Sequence, residues 1–490
     1  MPVLTLPPPG ERHELISSVF LRLLALIYLA AFVSAGVQII GLVGSHGILP
    51  IAERIATLRA GSGWEGFWSL PTLLWLDAGD DALFAVVLAG CVFSVALFVN
   101  LWPRISLVAL FVLYLSLFHA GQIFMNFQWH YLLLESGFAA IFLAGGARPG
   151  LWLLKWALFR VRFMSGLSKL ASGDPTWAGL TALNYFFEVQ PLPHWGGWYA
   201  AQLPEWMLRL GTGATLFIEI LVPLTLFMPR WARLPGAWLT ILMQVLILMT
   251  SNHAFLNLLV LVLCLFFFED RDLRRVLPKP LTRWLTGMQP PPVLRRSPGG
   301  LLALAVAVLL IAVSLVQMAE MFTPWRSPQP VALLTRHLRP FQLVHRYHVF
   351  PTMKTERLEL IIEGSEDGVE WRAYEFRYKP GDVYRKPEFI VPHHPQLDWI
   401  MWFVPEQPFF LPLLERFLYR LLENSAPVLD LLEDNPFPDR PPRYLRVELY
   451  RYRFADPETH AATGQWWQRE YLGPFSPLPG LMLKKQGTSD

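Results

Sequence analysis

Residues 82–125 read ALFAVVLAGCVFSVALFVNLWPRISLVALFVLYLSLFHAGQIFM, and this stretch decides the fold. It holds no acid and one formally charged residue, Arg104. About 20 mostly apolar residues cross a bilayer as a helix, so the stretch reads as two spans, 82–101 and 104–125. The same reading extends outward to 17–43, 129–146, 151–172, 206–229, 235–251, 254–268 and 299–320. The predicted membrane part is an all-α helical bundle of about nine spans over residues 1–321. Helix is the required state, because backbone groups in hydrocarbon must be satisfied within their own segment. The segments 235–251 and 254–268 are short, and read equally as one re-entrant pair around Thr250-Ser251-Asn252-His253. The first run is too long for a signal-peptide core and reads as a retained helix.

Composition supports the membrane reading. Of the 490 residues 53% are hydrophobic and 16% charged, with mean hydropathy +0.36, where soluble domains run near a quarter charged. The net charge of +3 gives no global field for nucleic acid. Only 8 of the 41 basic residues are Lys, a bias that points to a GC-rich, bacterial genome. Cys91 and Cys264 sit in apolar runs without metal-type spacing and read as packed core thiols.

Basic residues set the orientation. The 269–298 loop carries Arg271, Arg274, Arg275, Lys279, Arg283, Arg295 and Arg296. Counting back by pairs of spans places Arg230 and Arg233, Arg148 and Lys155, Arg104, and Arg12 on the same side. The N-terminus is therefore expected in the cytoplasm. Segments 45–81 and 173–205, and everything from 322 onward, face the other side.

Residues 322–490 read as a soluble, β-sandwich-like domain with a helical insertion. Alternation marks 356–363 as a strand, Glu366-Asp367-Gly368 as a hairpin turn and 369–378 as the returning strand. Segments 398–403 and 443–454 are further predicted strands, and 408–423 and 427–433 have helical spacing.

Ionisable residues at bilayer depth are costly and mark sites. Glu135, His130, Gln128 and Asn126 belong to the fourth span or its start, His119 and Gln122 to the end of the third. Arg160, Arg162 and Lys169 lie in the fifth span and Glu219 in the sixth, with Gln244, Asn252, His253 and Asn257 beyond. Glu135 and Glu219 are expected to pair with Lys169, Arg160 or Arg162. That makes either a network locking the bundle together or a reaction site. In the second reading a desolvated Lys169 acts as base, with Glu135, Glu219 and His130 around an intramembrane pocket. His119 and His130 lack a third ligand, so no metal is expected. Further along, Glu188, Gln190 and His194 cluster beside Trp177, Trp195 and Trp198, in a segment that also carries Asn184 and Tyr185. The three Trp read as interface anchors, a role that leaves the polar group unexplained and makes it a candidate binding set.

Several long strings resemble one family. They are GLSKLASGDPTWAGLTALNYFFEVQPLPHW (166–195), FIEILVPLTLF (217–227), SNHAFLNLL (251–259) and FFFED (266–270). YHVFPTMKTERLELIIEGSEDGVEW (347–371), YEFRYKPGD (374–382), VPHHPQLDWIMWF (391–403) and DNPFPDRPPRYLRVELYRYRF (434–454) continue the match. In this order they resemble the lipase maturation factors over most of residues 125–475. The resemblance implies a membrane protein, not itself an enzyme and without a cofactor, that helps secreted dimeric lipases fold and assemble. Its partners would be a secreted client, such as a lipase, and membrane lipid. The membrane would be that of the endoplasmic reticulum in a eukaryote and the inner membrane in a bacterium, with residues 322–490 lumenal or periplasmic. Asn252, His253, Asn257, Trp371, Trp399 and Trp402 join the binding candidates.

A more distant resemblance covers Gly166-Leu167-Ser168-Lys169-Leu170 and the Trp and Gly that follow. It is similar to a Gly-x-x-Lys-Leu pattern of the vitamin K-dependent γ-carboxylases, where the Lys deprotonates a reduced quinone. It implies a quinone- or lipid-handling enzyme with Lys169 as proton acceptor, although Ser168 stands where the carboxylases have a second Lys. A scaffold reading of the same motif has Gly166 allowing close helix packing and Lys169 pairing with Glu219.

Overall fold

A computed structural model describes residues 13–286 and 298–475. Of the basic residues used to orient the chain, Arg12, Arg295 and Arg296 lie outside the described residues. Each predicted span coincides with a helix. These are α1 (Glu14–Gly36), α2 (Asp80–Phe98), α3 (Pro103–Ala120), α4 (Gln128–Ala144), α5 (Arg148–Ala171), α6 (Glu205–Ile220), α7 (Arg230–Thr250), α8 (Leu256–Leu263) and α9 (Pro298–Phe322).

Six are long and apolar enough to cross a membrane: α1, α2, α3, α6 with its 3-10 extension Val222–Phe227, α7 and α9. The chain is an integral membrane protein. The other three fall short for identifiable reasons. Helix α4 has 17 residues, α8 with its extension ends at Phe267, and α5 carries Arg148, Lys155, Arg160, Arg162 and Lys169. Those charges are tolerated because α4 and α5 are interior helices, buried on most sides. Helices α6, α7 and α9 lie outside, with Leu210, Phe217, Leu242, Leu246 and Val308 exposed along them. Between α7 and α8 the helix breaks: Ser251 is extended, and Ala254 adopts φ +47°.

The two ends of the bundle gather different segments. At one end, the Asp270 carboxylate accepts from the amides of Glu14 (3.0 Å), Leu15 (3.1 Å) and Ile16 (3.0 Å), capping α1 from outside its own segment. Arg230 donates to Asp272 beside it, and Arg233 pairs with Glu269. At the other end, Gln38 Nε2 donates to the His394 carbonyl (2.7 Å), and the Gln396 amide donates to Gln38 Oε1 (2.9 Å). Arg420 Nε and Ser425 Oγ donate to the Gly47 and His46 carbonyls at 2.8 and 2.7 Å.

The C-terminal part holds one four-stranded antiparallel sheet in the order β2-β1-β3-β4. Its strands are β1 (Arg357–Ser365), β2 (Arg372–Ala373), β3 (Tyr444–Phe454) and β4 (Trp467–Pro474). The expected sandwich is replaced, among the described residues, by this single sheet covered on both faces. Leu360, Ile362, Leu445 and Val447 belong to the same core as Phe417 and Leu421 of the insertion helix Leu411–Leu422. On the other face Ile361, Tyr452, Phe454 and Trp467 pack with Phe187 and Trp198 from the segment before α6. Helical segments take the place of a second sheet.

Two strand expectations need correction. Residues 398–403 lie mainly in the helix Gln396–Met401, because Leu397, Ile400, Met401 and Val404 form an i, i+3, i+4, i+7 stripe that is buried. The returning strand expected over 369–378 is limited to β2. Beyond it the amides of Tyr378 and Lys379 donate to the Asp398 carboxylate at 2.7 and 3.0 Å instead of to a neighbouring strand. Burial raises that carboxyl's pKa, and the two amides oppose the rise.

Candidate functional site

Gly166 lets α5 and α6 meet. A Cβ there would lie 2.7 Å from Ile220 Cγ1 and 2.8 Å from Glu219 Cβ. This approach seats Lys169 Nζ 2.7 Å from Glu219 Oε2. Lys169 also donates to the Val349 carbonyl at 2.6 Å and the Ser165 carbonyl at 3.4 Å, so the ammonium has two carbonyl acceptors beside its ion pair. Arg162 Nη1 lies 3.4 Å from Glu219 Oε1, and Arg162 Nη2 reaches the thioether of Met243 at 2.8 Å. One carboxylate thus faces two cations, all buried.

The group lines a cleft between α5, α6, α7 and α8, enclosing about 650 Å³ of space including its open mouth. Polar lining comes from Arg162, Lys169, Glu219, Gln244, His253 and Asn257, and apolar lining from residues such as Trp177, Phe186, Ile247, Val260 and Phe350. Asn257 Nδ2 donates to Gln244 Oε1 at 2.8 Å. The Trp177 ring, expected at the interface, is buried with its centre 5.1 Å from Lys169 Nζ.

The other members of the expected catalytic set lie elsewhere. Glu135 is ion-paired with Arg160, which also donates to the His345 carbonyl at 3.1 Å. His130 Nδ1 is 2.7 Å from Tyr114 Oη, and its Nε2 accepts from Trp129 Nε1 at 3.0 Å. Neither Glu135 nor His130 lines the cleft. Among the described residues no group of three His, Cys, Asp or Glu is placed to hold a metal.

The polar cluster after α5 holds segments together. Gln190 Nε2 donates to the Phe187 and Thr250 carbonyls, both at 3.1 Å. His194 Nδ1 accepts from the Gly196 amide at 2.8 Å; burial and Lys386 lower its pKa to about 4, keeping the ring neutral for that bond. Glu188 accepts from the Phe454 amide at 2.9 Å. Asn252 Nδ2 donates to the Glu388 carbonyl at 2.8 Å, and its Oδ1 accepts from the Ile390 amide at 3.1 Å. Asn184 and Tyr185 are half-buried on the helix Ala182–Val189.

Arg357 of β1 is the strongest link between the sheet and this segment. It donates to the carbonyls of Glu188 (2.8 Å), Gln190 (2.5 Å) and Pro191 (3.0 Å), and to Glu359 at 2.6 Å. Its role was hidden in the sequence, where it reads as one of several charges alternating along a strand. Val349 and Phe350 were also missed, because their stretch was read as belonging to a separate soluble domain.

Two family models match. The lipase maturation factor transmembrane domain aligns with residues 15–275, and the lipase maturation factor C-terminal domain with residues 343–477. Lipase maturation factor 2 of Gallus gallus is 33% identical over 96% of this chain and 81% of its own length. Lipase maturation factor 1 of Bos taurus is 33% identical over 94% and 88%, and that of Mus musculus 34% over 94% and 86%.

The chain belongs to the lipase maturation factor family. No solved structure matches it. In this family member the Lys169–Glu219–Arg162 group falls within the transmembrane-domain match, and Arg357 within the C-terminal match. Of the aromatic binding candidates, Trp399 is buried against Trp129, ring centres 4.9 Å apart. Trp371 is half-buried, with the Arg446 guanidinium 4.3 Å from its ring centre.

Proposed function

We propose that this chain is a membrane-embedded maturation factor that helps secreted lipases fold and assemble, working from the non-cytoplasmic face and not as an enzyme. The observation that carries this reading is the family match over both parts of the chain, 15–275 and 343–477, to proteins named lipase maturation factors.

Residues 1–321 form the membrane domain, with α4, α5 and α8 completing nine membrane elements inside the six long ones. Residues 322–490 form the lumenal or periplasmic domain. Contacts at the two ends of α1 support this orientation. Glu14 shares an end with Asp270 and the basic 269–286 stretch, while Gln38 shares the opposite end with His394 and Gln396. Glu188, Gln190, His194 and Asn252 then brace the client-facing part against the bundle, leaving Trp371 and the outer edge of β4 as its open surface. Lys169 acting as base is set aside, because a base needs a lone pair facing its substrate, and Lys169 is ion-paired with Glu219 and hydrogen-bonded to two backbone carbonyls.

The test is co-expression with a secreted dimeric lipase in cells whose own lipase maturation factors are disrupted. The expected result is more activity per mass of secreted lipase. An equal mass of lipase with no gain in activity, while the chain accumulates in the membrane, would overturn the reading.

A further inference from the structure

The cleft between α6 and α7 has a chemical asymmetry that client folding does not use. Its walls are apolar, yet at its base two cations, Lys169 and Arg162, share one carboxylate. Lys169 is held by Glu219 and two backbone carbonyls, whereas Arg162 has donors to spare. Its Nε has no hydrogen-bond partner, and its Nη2 is directed at a thioether, a weak acceptor. Gln244, 1% exposed, also lines the cleft and has an unpartnered Nε2. Turning over the Gln244 and Asn257 amides together exchanges their roles and still leaves one donor without an acceptor. The cleft also holds acceptors: Asn257 Oδ1 is unpartnered, and Glu219 Oε2 has no partner beyond its ion pair with Lys169. The unpaired donors and the cation in excess of the carboxylate are costly when buried, and a ligand with an anionic head would satisfy those two.

The surroundings define the rest of that ligand. Helices α6 and α7 meet chiefly through the turn Val222–Phe227. Thr215 and Glu219 of α6 face Met243, Gln244 and Ile247 of α7 across the cleft. The outer sides of both helices carry exposed Phe217, Leu242 and Leu246, as a lipid-facing surface does. A molecule entering between them comes from the hydrocarbon layer.

We propose that this cleft binds a membrane amphiphile with an anionic head group, the head on Arg162 and Gln244 and the tail along Phe186, Ile247 and Val260. A carboxylate from a free fatty acid or a phosphate from a lysophospholipid supplies the same chemistry.

The full chain, purified in a non-ionic detergent, would be titrated with oleate, lysophosphatidate and monoolein under native mass spectrometry. Oleate or lysophosphatidate should bind one to one and about tenfold more tightly than uncharged monoolein; the tighter of the two names the source. Arg162→Gln should reduce that preference to about onefold. Ile247→Trp, which fills the cleft without touching the ion cluster, should abolish both the charged and the uncharged binding. No preference for either anion, or a preference that survives both substitutions in folded protein, overturns the proposal. A diazirine oleate on the unsubstituted chain removes dependence on variant folding: label on the cleft residues Thr215, Gln244, Ile247 or Val260 supports the site, and label confined to the outward Phe217, Leu242 and Leu246 or elsewhere contradicts it.

Discussion

Glu219 in the bundle and Glu359 in the sheet are both buried carboxylates facing two cations, and they are stabilised in opposite ways. Around Glu359, Arg357 and Lys379 are closed in by carbonyls. Arg357 takes those of Glu188, Gln190 and Pro191, and Lys379 those of Leu360 (3.1 Å) and Pro380 (3.2 Å), while Lys379 also pairs with Glu359 at 2.9 Å. Around Glu219, the two cations have the Val349 and Ser165 carbonyls and one thioether, and the group opens onto a cleft. Both arginines leave Nε without a partner, but the terminal nitrogens differ: those of Arg357 meet carbonyl and carboxylate oxygens, while Arg162 Nη2 meets only a thioether. Partner supply, not charge, separates a structural ion cluster from one able to take a ligand.

The Glu359 cluster should be the costlier one to break. Glu359→Gln leaves Arg357 and Lys379 buried together without an anion, an expected loss of about 3–5 kcal/mol, seen as a large fall in melting temperature or failure to accumulate. Glu219→Gln should cost less, on the order of 1–3 kcal/mol, because the cleft gives its cations an outlet. That variant should also bind oleate more tightly, since its cleft gains net positive charge. Equal losses from the two substitutions would erase the distinction between the clusters.

A pair at the rim of the bundle provides the wetter reference. Hydrogen bonds from Arg230 hold the Asp272 carboxyl down, from 3.8 to about 2. A depressed carboxyl stabilises the fold above its unfolded pKa, and that contribution is lost as pH falls from about 4 through about 2. Asp272→Asn should therefore cost about 1 kcal/mol near neutral pH at low salt and flatten the acid limb of a stability profile. Smallest of all, Trp371→Ala removes a half-exposed ring under Arg446 and should cost less than about 1 kcal/mol; a loss as large as that of Glu219→Gln would make Trp371 part of the core.

Much of this was legible in the sequence. Apolar run length located every helix of the bundle, and the charges of α5 and α6 announced that something polar was buried there. The Gly166 and Lys169 spacing, read as a scaffold, anticipated the approach of α5 to Glu219. Sequence pattern could not say that Glu135 would choose Arg160, because partner choice depends on helix rotation and crossing, which periodicity leaves open. The 398–403 segment failed as a strand because a short apolar run fits either period, and the buried stripe that decides it runs on to Val404. Arg357 stayed hidden because its acceptors are backbone carbonyls, which have no sequence signature, and they lie more than 160 residues away.

The most direct measurement places a photo-crosslinking residue at Tyr471 on the open edge of β4, at Phe409 of the insertion, or at Val276 on the opposite end of the bundle, all exposed. A secreted lipase is then translated in cells carrying each variant. Crosslinks to the lipase from Tyr471 or Phe409 and none from Val276 are expected if the client meets the C-terminal sheet on the non-cytoplasmic side. Crosslinks from Val276, or none from the sheet and its insertion while lipase activity is still raised, would contradict it.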